Sequence, residues 1–364
     1  MIQLSSIAFY VNDKISSSDI SLEEYVTTDC IMQNKRGREI ATNLPPQSCS
    51  LIHYKPGDIL IANIRPYLKK IWFADMEGGA SSDVLVFRAK DGHSPEFLYS
   101  ALLQDSFFDY VMQGTKGSKM PRGDKEQIMR YEMPTLSVSE ESIGKFILDI
   151  NRKIHLNEQI NQNLEALVTN ITDYMFLSKK DKFKKCSIDE IASIKAGGDC
   201  PKDYSPFPTA EYTVPIFSNG TENEGLYGFT SQSIIESRSI TVAARGTIGY
   251  CVRREGKYVP IIRLLSVCPY DIGADTYLHQ IISRMIFKKN GSVQQQLTVP
   301  ELSIIQIPYP SQQELIKYEA ITRPLIMQIN HNKEENKQLT KQRDELLPLL
   351  MNGQVSLNSD LSHD

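Results

Sequence analysis

Apolar residues recur with heptad spacing over 139–178, and the rest of the chain is arranged around that stretch. Ile143, Ile150, Leu164 and Ile171 form one row with Asn157 in the vacant place, and Ile147, Ile154, Val168 and Met175 form a second broken by Asn161. Alternating steps of four and three hold such a seam against one partner helix. Ser139 is placed to cap the start, with Glu140 and Glu141 in the first turn. The pattern returns near the C-terminus. Tyr318, Leu325, Leu339 and Leu346 line one row around Asn332, and Thr322, Ile329 and Leu350 line the other around Asn336 and Arg343. Asn157 and Asn161 thus have counterparts in Asn332 and Asn336 at one constant offset. An asparagine in an apolar seam lowers stability yet fixes register, because it needs a polar partner. The two helices are therefore expected to pair with each other, antiparallel. Pro324 lies within the second and is expected to kink it or delay its start.

Between the helical stretches the pattern shortens. After the Gly57-Asp58 turn signal, the apolar run 59–64 is short enough for a buried strand. The runs 71–74 and 84–87 read as two more, with Gly78, Gly79, Ser81 and Ser82 turning the chain between them. Pro95 opens a helix with Phe97, Leu98, Ala101 and Leu102 on one face, and a polar loop follows over 113–125. Residues 181–310 repeat this plan. The segment 59–65 (ILIANIR) recurs as 239–245 (SITVAAR), Phe97-Leu98-Tyr99 as Tyr277-Leu278-His279, and Met133-Pro134 as Ile307-Pro308. The division is 1–138 globular, 139–180 helical, 181–310 globular, 311–352 helical, and a polar tail over 353–364. The expected fold class is α+β: two duplicated α/β globular domains joined by two long antiparallel, coiled-coil-like helices, with pseudo-twofold symmetry.

A chain of 364 residues holds two or three domains. Apolar and charged contents of 41% and 23% are those of a soluble globular protein. No run approaches the ~18 apolar residues of a membrane span, and MIQLSSIAFYVNDK is not a signal peptide, so a cytoplasmic protein is expected. The six cysteines form no C-x-x-C pair and have no histidine at zinc-ligand spacing, which fits scattered reduced thiols and no metal.

Catalytic motifs are absent. Gly114-Thr115-Lys116-Gly117-Ser118-Lys119 has the residue types of a phosphate loop without its spacing. Neither G-x-S-x-G nor H-E-x-x-H occurs. Asn43-Leu44-Pro45-Pro46 only echoes the tetrapeptide of amino-methyltransferases. Glu255-Gly256-Lys257 could be half of a nuclease centre, but no Pro-Asp precedes it.

Basic and amide-rich loops are more informative. The first half offers Asn34, Lys35, Arg36 and Arg38; Arg65, Lys69 and Lys70; and Lys116, Lys119 and Arg122. The second offers Asn219 and Tyr227; Arg245, Arg253 and Arg254; and Lys288, Lys289 and Gln294. Lys and Arg suit phosphates and guanine edges, and Asn and Gln suit adenine edges. Net charge is only −4, so a nucleic-acid surface must come from local clusters or be shared with a basic partner. A coiled-coil scaffold for proteins and an atypical site-specific nuclease remain alternatives on these residues alone.

Three motifs narrow the choice: 57–75 (GDILIANIRPYLKKIWFAD), 117–124 (GSKMPRGD) and 346–355 (LLPLLMNGQV). With the proline-led entry into each helix, they make the chain resemble the specificity subunit of type I restriction-modification systems over nearly its whole length. The resemblance implies two target recognition domains, each reading half of a split sequence in double-stranded DNA, and two conserved helical regions that set the spacing. It implies no catalysis and no cofactor in this chain. It also implies two modification subunits, which carry S-adenosylmethionine and methylate adenine, and motor-nuclease restriction subunits. Low identity between the halves implies two different half-sites.

Overall fold

A computed structural model describes residues 1–115, 119–133, 139–287 and 296–357 of the chain. They divide into two compact units, one of Met1–Ile160 with His331–Asp364 and one of Asn161–Asn330. The first long helix, Glu140–Met175, and the second, Gln312–Met351, each give one end to each unit. The Ser142 N–H donates to Ser139 Oγ at 3.4 Å, so Ser139 caps the first as expected. Glu314 accepts from the Ser311 N–H and hydroxyl at 2.9 and 2.7 Å and closes the start of the second. The first helix ends at Met175, the last residue of its heptad rows and three short of the stretch 139–178, because Phe176 leaves helical geometry to bury its ring against Phe183, Tyr277 and Tyr318. The second starts well before Pro324 and runs through it, contrary to the expected delay. Leu315, Tyr318 and Thr322 bury its first turns, and Pro324 itself is exposed. It stops at Gly353, whose φ of 66° allows the N–H groups of Gly353 and Gln354 to reach back to Leu350 and Leu349.

The helices pair antiparallel within each unit. In the first, Asn157 is 2% exposed and its Nδ2 donates to Asn336 Oδ1 at 2.8 Å and to Glu335 Oε2 at 2.6 Å. Asn336 Nδ2 donates to Ile154 O at 3.1 Å, and Arg343 Nη1 to Asn151 Oδ1 at 2.7 Å. In the second, Asn161 Nδ2 donates to Ile329 O at 3.3 Å, and the Thr172 and Tyr318 hydroxyls share a 2.7 Å bond. Asn332 is buried in the seam. The seam drifts from strict heptads: Ile326 and Leu347 are buried where Leu325 and Leu346 are only partly covered, since a straight helix turns every 3.6 residues. Asn157→Ala is expected to destabilise the first unit by about 1–3 kcal/mol, because it removes the donor to Asn336 Oδ1 and Glu335 Oε2 and leaves a gap in the seam. Urea unfolding followed by fluorescence of Trp72, the chain's one tryptophan, measures this; an unchanged midpoint would count against the seam's polar contacts.

Each unit is built on one four-stranded antiparallel sheet of the same order. In the first the order is Ala8–Tyr10, Val84–Ala89, Ile59–Ala62, Ile71–Phe73. In the second it is Ala192–Ala196, Leu265–Pro269, Ser239–Val242, Cys251–Arg254. Pairing fixes the equivalences. Ile59 lies opposite Phe73 and Phe87, and Ile240 opposite Arg253 and Val267. Ile240 is therefore the counterpart of Ile59, one residue later than the match of 59–65 to 239–245 places it. A one-residue slip flips every side chain to the other face, and the faces agree. Ile59 and Ile61 join the core beneath the helix Pro95–Leu102, while Ile240 and Val242 join the core beneath Ala274–Ile282.

The other face explains why the first unit's strand is apolar throughout. Leu60, Val84 and Val86 pack with Val26, Tyr54 and Trp72 under a second sheet, so the strand is buried on both sides. In the second unit the corresponding layer is polar, with Ser239, Thr241 and Ser266 buried. The second sheets also diverge. In the first unit the order is Lys14–Ser16, Ser50–Tyr54, Gly78–Ala80, Tyr25–Val26, and only the last pair is parallel. In the second it is Leu226–Thr230, Val214–Phe217, Val259–Pro260, again with the last pair parallel. Gly78 and Gly79 therefore lie in a strand, not in the turn expected of them. A Cβ on Gly78 would stand 2.1 Å from Glu24 O, which is why glycine occupies a buried strand position. All six cysteines are free thiols.

Candidate nucleic-acid interface

In each unit, loops gather where the Ile59–Ala62 strand or its counterpart runs out. In the first, Asn63 N–H donates to Asp83 O at 2.9 Å, Gly123 N–H to Asn63 O at 3.3 Å, and Arg65 N–H to Pro121 O at 2.8 Å. A bridge between Ile64 and Arg122 continues the pairing. Gly123 lets the loops pass closely, since a Cβ there would lie 2.9 Å from Asn63 Oδ1 and push that side chain aside. A 3-10 turn, Pro66–Leu68, follows between two left-handed residues, Arg65 and Lys69. These bonds place Arg65, Tyr67, Lys119, Met120 and Arg122 on adjoining exposed loops; Tyr67 is 50% and Met120 52% exposed. Arg122 Nη2 lies 3.1 Å from Asp83 Oδ1, so one carboxylate moderates the patch. Exposed guanidinium, ammonium and phenol groups together suit phosphates and base edges.

Other basic residues of the first unit are engaged in the fold. Lys35 is 8% exposed and bonded to Asp105 at 2.8 Å, with Asp344 at 3.7 Å. Lys69 also binds Asp105, at 2.8 Å. Burial opposes the ionised Asp105, and the two lysines outweigh it, leaving its pKa below the usual aspartate value. Arg38 stacks 4.4 Å over Trp72 and donates to Glu23 O at 2.7 Å. Lys70 donates to Thr28 O. Asn34 and Arg36 are exposed, and the Asn34 N–H donates to Leu68 O, tying that loop to the 66–68 turn.

In the second unit Arg245 takes the place of Ile64, and Gln296 that of Arg122. Gln296 Oε1 accepts from Arg245 Nη2 at 2.8 Å and Nε at 3.2 Å, which holds an exposed guanidinium flat. Tyr227 is exposed with its ring centroid 5.6 Å from that of Tyr204, also exposed. Asn219 spends both ends of its amide within the protein, on Ile262 O and Ala244 N. Arg253 is turned inward to Glu165 and His279. Arg254 is 6% exposed, lies 3.6 Å over Phe217 and donates to Thr241 Oγ1 and Glu224 O. Burial pushes its pKa down to about 10. Both residues alternate along a strand whose two faces are covered, so neither guanidinium is offered to a ligand. Lys116, Lys288, Lys289 and Gln294 lie outside the described residues. Among the described residues no group of three or more His, Cys, Asp or Glu side chains could hold a metal ion, and no helix is long and apolar enough to cross a membrane.

Residues 180–341 match the family described as the type I restriction modification DNA specificity domain. A Mycoplasma pneumoniae protein named as a type I specificity subunit, S.MpnORF89P, is 33% identical over 156 residues, 42% of this chain. A second from that organism, S.MpnORF507P, is 28% identical over 280 residues, 74% of this chain. The chain resembles type I specificity subunits. It spans 47% of the first relative's length and 75% of the second's. The crystal structure of a type I restriction-modification S subunit from M. genitalium shares the fold, with a TM-score of 0.65 and 15% identity over 98% of this chain and 96% of that one.

Within this fold, Gln296, Tyr67, Tyr204 and Arg263 join or flank the exposed loops without being singled out individually by the sequence. Gln296 lies two residues beyond Gln294, and the 57–75 motif contains Tyr67. Arg263 is hidden inside an apolar stretch, Ile261-Ile262-Arg263-Leu264-Leu265, and a lone charge in such a stretch was its only signal.

Proposed function

We propose that this chain is the DNA-reading subunit of a type I restriction-modification assembly. The observation that carries this is the recurrence of one surface. The same end of the same sheet bears exposed arginines in both units, Arg65 and Arg122 in one and Arg245, bound to the half-buried Gln296, in the other. Each unit reads one half of a bipartite duplex target. The different residues at equivalent places give different half-sites. The long helices hold the two readers in register along the duplex, as dimeric readers set half-site spacing by their geometry. Much of the phosphate neutralisation falls to partner subunits, in keeping with a net charge of −4.

In this reading the chain performs no chemistry. Two modification subunits supply S-adenosylmethionine and the adenine methylation, and motor-nuclease subunits supply cleavage. The helices carry large exposed apolar side chains suited to protein docking, Leu156 and Ile160 in the first unit's share and Ile321 and Met327 in the second's. Replacing Arg65 and Arg122 together by alanine is expected to weaken binding of a preferred duplex about 10–100-fold at physiological salt and to leave the unfolding midpoint unchanged. Titration by fluorescence anisotropy checks both, and unaltered affinity would remove these loops from the interface.

A further inference from the structure

The turn 261–264 of the second unit stands where 81–84 stands in the first. Both close the same way: Val84 N–H donates to Ser81 O and Leu264 N–H to Ile261 O, each at 3.0 Å. The handedness differs. Ile262 and Arg263 both lie in the left-handed region, with φ of 53° and 61°, whereas Ser82 and Asp83 do not. A turn left-handed at both central positions ordinarily takes Asn-Gly, and a β-branched residue there is strained. Strain of this kind persists only where the surroundings over-determine it.

Those surroundings are explicit. Ile262 N–H donates to Gly198 O at 2.9 Å and Arg263 N–H to Gly197 O at 3.0 Å. A Cβ on Gly197 would stand 2.6 Å from the Pro260 carbonyl carbon, so the two backbones pass as closely as they can. Asn219 completes the clamp, its Nδ2 donating to Ile262 O and its Oδ1 accepting from Ala244 N–H, both at 2.7 Å. In the first unit the equivalent link is direct, from Asn63 N–H to Asp83 O. In the second unit the Asn219 side chain makes the link instead, and it reaches the carbonyl one residue earlier, that of Ile262. It thereby ties the residue before Arg245 to the residue before Arg263.

The side chains at this turn are opposite in charge. Asp83 in the first unit holds Arg122, whereas Arg263 at the same place is exposed. Among the described residues nothing accepts a hydrogen bond from the Arg263 guanidinium. We infer that Arg263 is a specificity-determining residue of the second unit, reading a guanine edge, and that Asn219 is its positioning residue. This rests on the DNA reading proposed above. A phosphate contact needs no preset geometry, whereas the O6 and N7 acceptors of guanine demand a fixed planar fork; a turn that accepts strain to orient one arginine suits the second.

The test uses the full chain and the duplex it selects from a random pool. Arg263→Ala is expected to bind that duplex about 10-fold more weakly and to lose discrimination at one base pair, with all four pairs there bound alike. Arg263→Lys is expected to regain affinity but not discrimination. Asn219→Asp, which keeps the acceptor and loses the donor, is expected to relax the same base pair while the melting temperature holds. If Arg263→Ala kept the wild-type preference at every position, the inference would be overturned with the DNA reading intact. If the wild-type chain selected no sequence at all, the DNA reading would fall and this inference with it.

Discussion

Arg88→Ala is expected to destabilise the first unit by about 3–5 kcal/mol, the usual result of stripping one partner from a buried ion pair. Asp58 is 1% exposed, and both its oxygens accept from Arg88, Nε and Nη2 each at 2.7 Å. The same carboxylate also accepts the Lys55 N–H at 2.8 Å and so closes the turn that starts the Ile59–Ala62 strand. Removing the guanidinium leaves a buried anion with a single backbone donor. The second unit shows that the place does not require charge: by strand register, Ser239 stands where Asp58 does and Cys268 where Arg88 does. Asp58→Ser with Arg88→Cys is therefore expected to recover more than half of the loss, because no ion is then left unpaired. Trp72 lies in this unit, packed on Tyr54 and under Arg38, so its fluorescence during urea unfolding reports the unit directly. A loss under about 1 kcal/mol for Arg88→Ala, or a double variant no better than the single, would contradict this account.

Gly78→Ala is the second large effect, at about 3 kcal/mol or more. The added methyl would stand 2.1 Å from Glu24 O and 2.6 Å from Tyr54 Oη. Glu24 O cannot simply withdraw, because it accepts both the Gly79 N–H at 3.0 Å and the Tyr54 hydroxyl at 2.8 Å. Overpacking alone costs about 1–3 kcal/mol, and each hydrogen bond lost adds about 0.5–1.5. Gly92 serves as the control: a Cβ there meets nothing within 4 Å, although its φ of 89° carries some strain of its own. The same fluorescence assay should separate the two variants clearly; equal midpoints would show that the second sheet yields.

The elements were legible where one physical rule acted alone. Heptad spacing located both long helices, and the paired asparagines marked their contact, because a buried amide must find a partner nearby. The strands 59–62, 71–73 and 84–89 showed as short apolar runs because both of their faces are covered. The repeat of the plan was visible too, but its register was not. Ser239 aligns with Ile59 by eye, and only strand pairing reveals Ile240 as the counterpart. Gly78 and Gly79 read as a turn because glycine in a strand is justified by the approach of Glu24, a residue far away in sequence. The candidate interface was the least legible part. Lys35, Arg38, Arg253 and Arg254 look like surface cations in a one-dimensional reading, and their partners Asp105, Trp72, Glu165 and Phe217 come from distant segments. Arg263 failed in the opposite sense, since an arginine between apolar neighbours reads as part of a strand until its turn is seen.

Selection of duplexes from a random pool by the full chain, followed by sequencing, tests the central claim most directly, that two units read one divided target. The wild-type chain should enrich two conserved blocks separated by a spacer of fixed length and free sequence. Arg65→Ala with Arg122→Ala should erase one block and keep the other, and Arg245→Ala should do the reverse. Enrichment of a single unbroken block, or loss of both blocks from either set of substitutions, would contradict it.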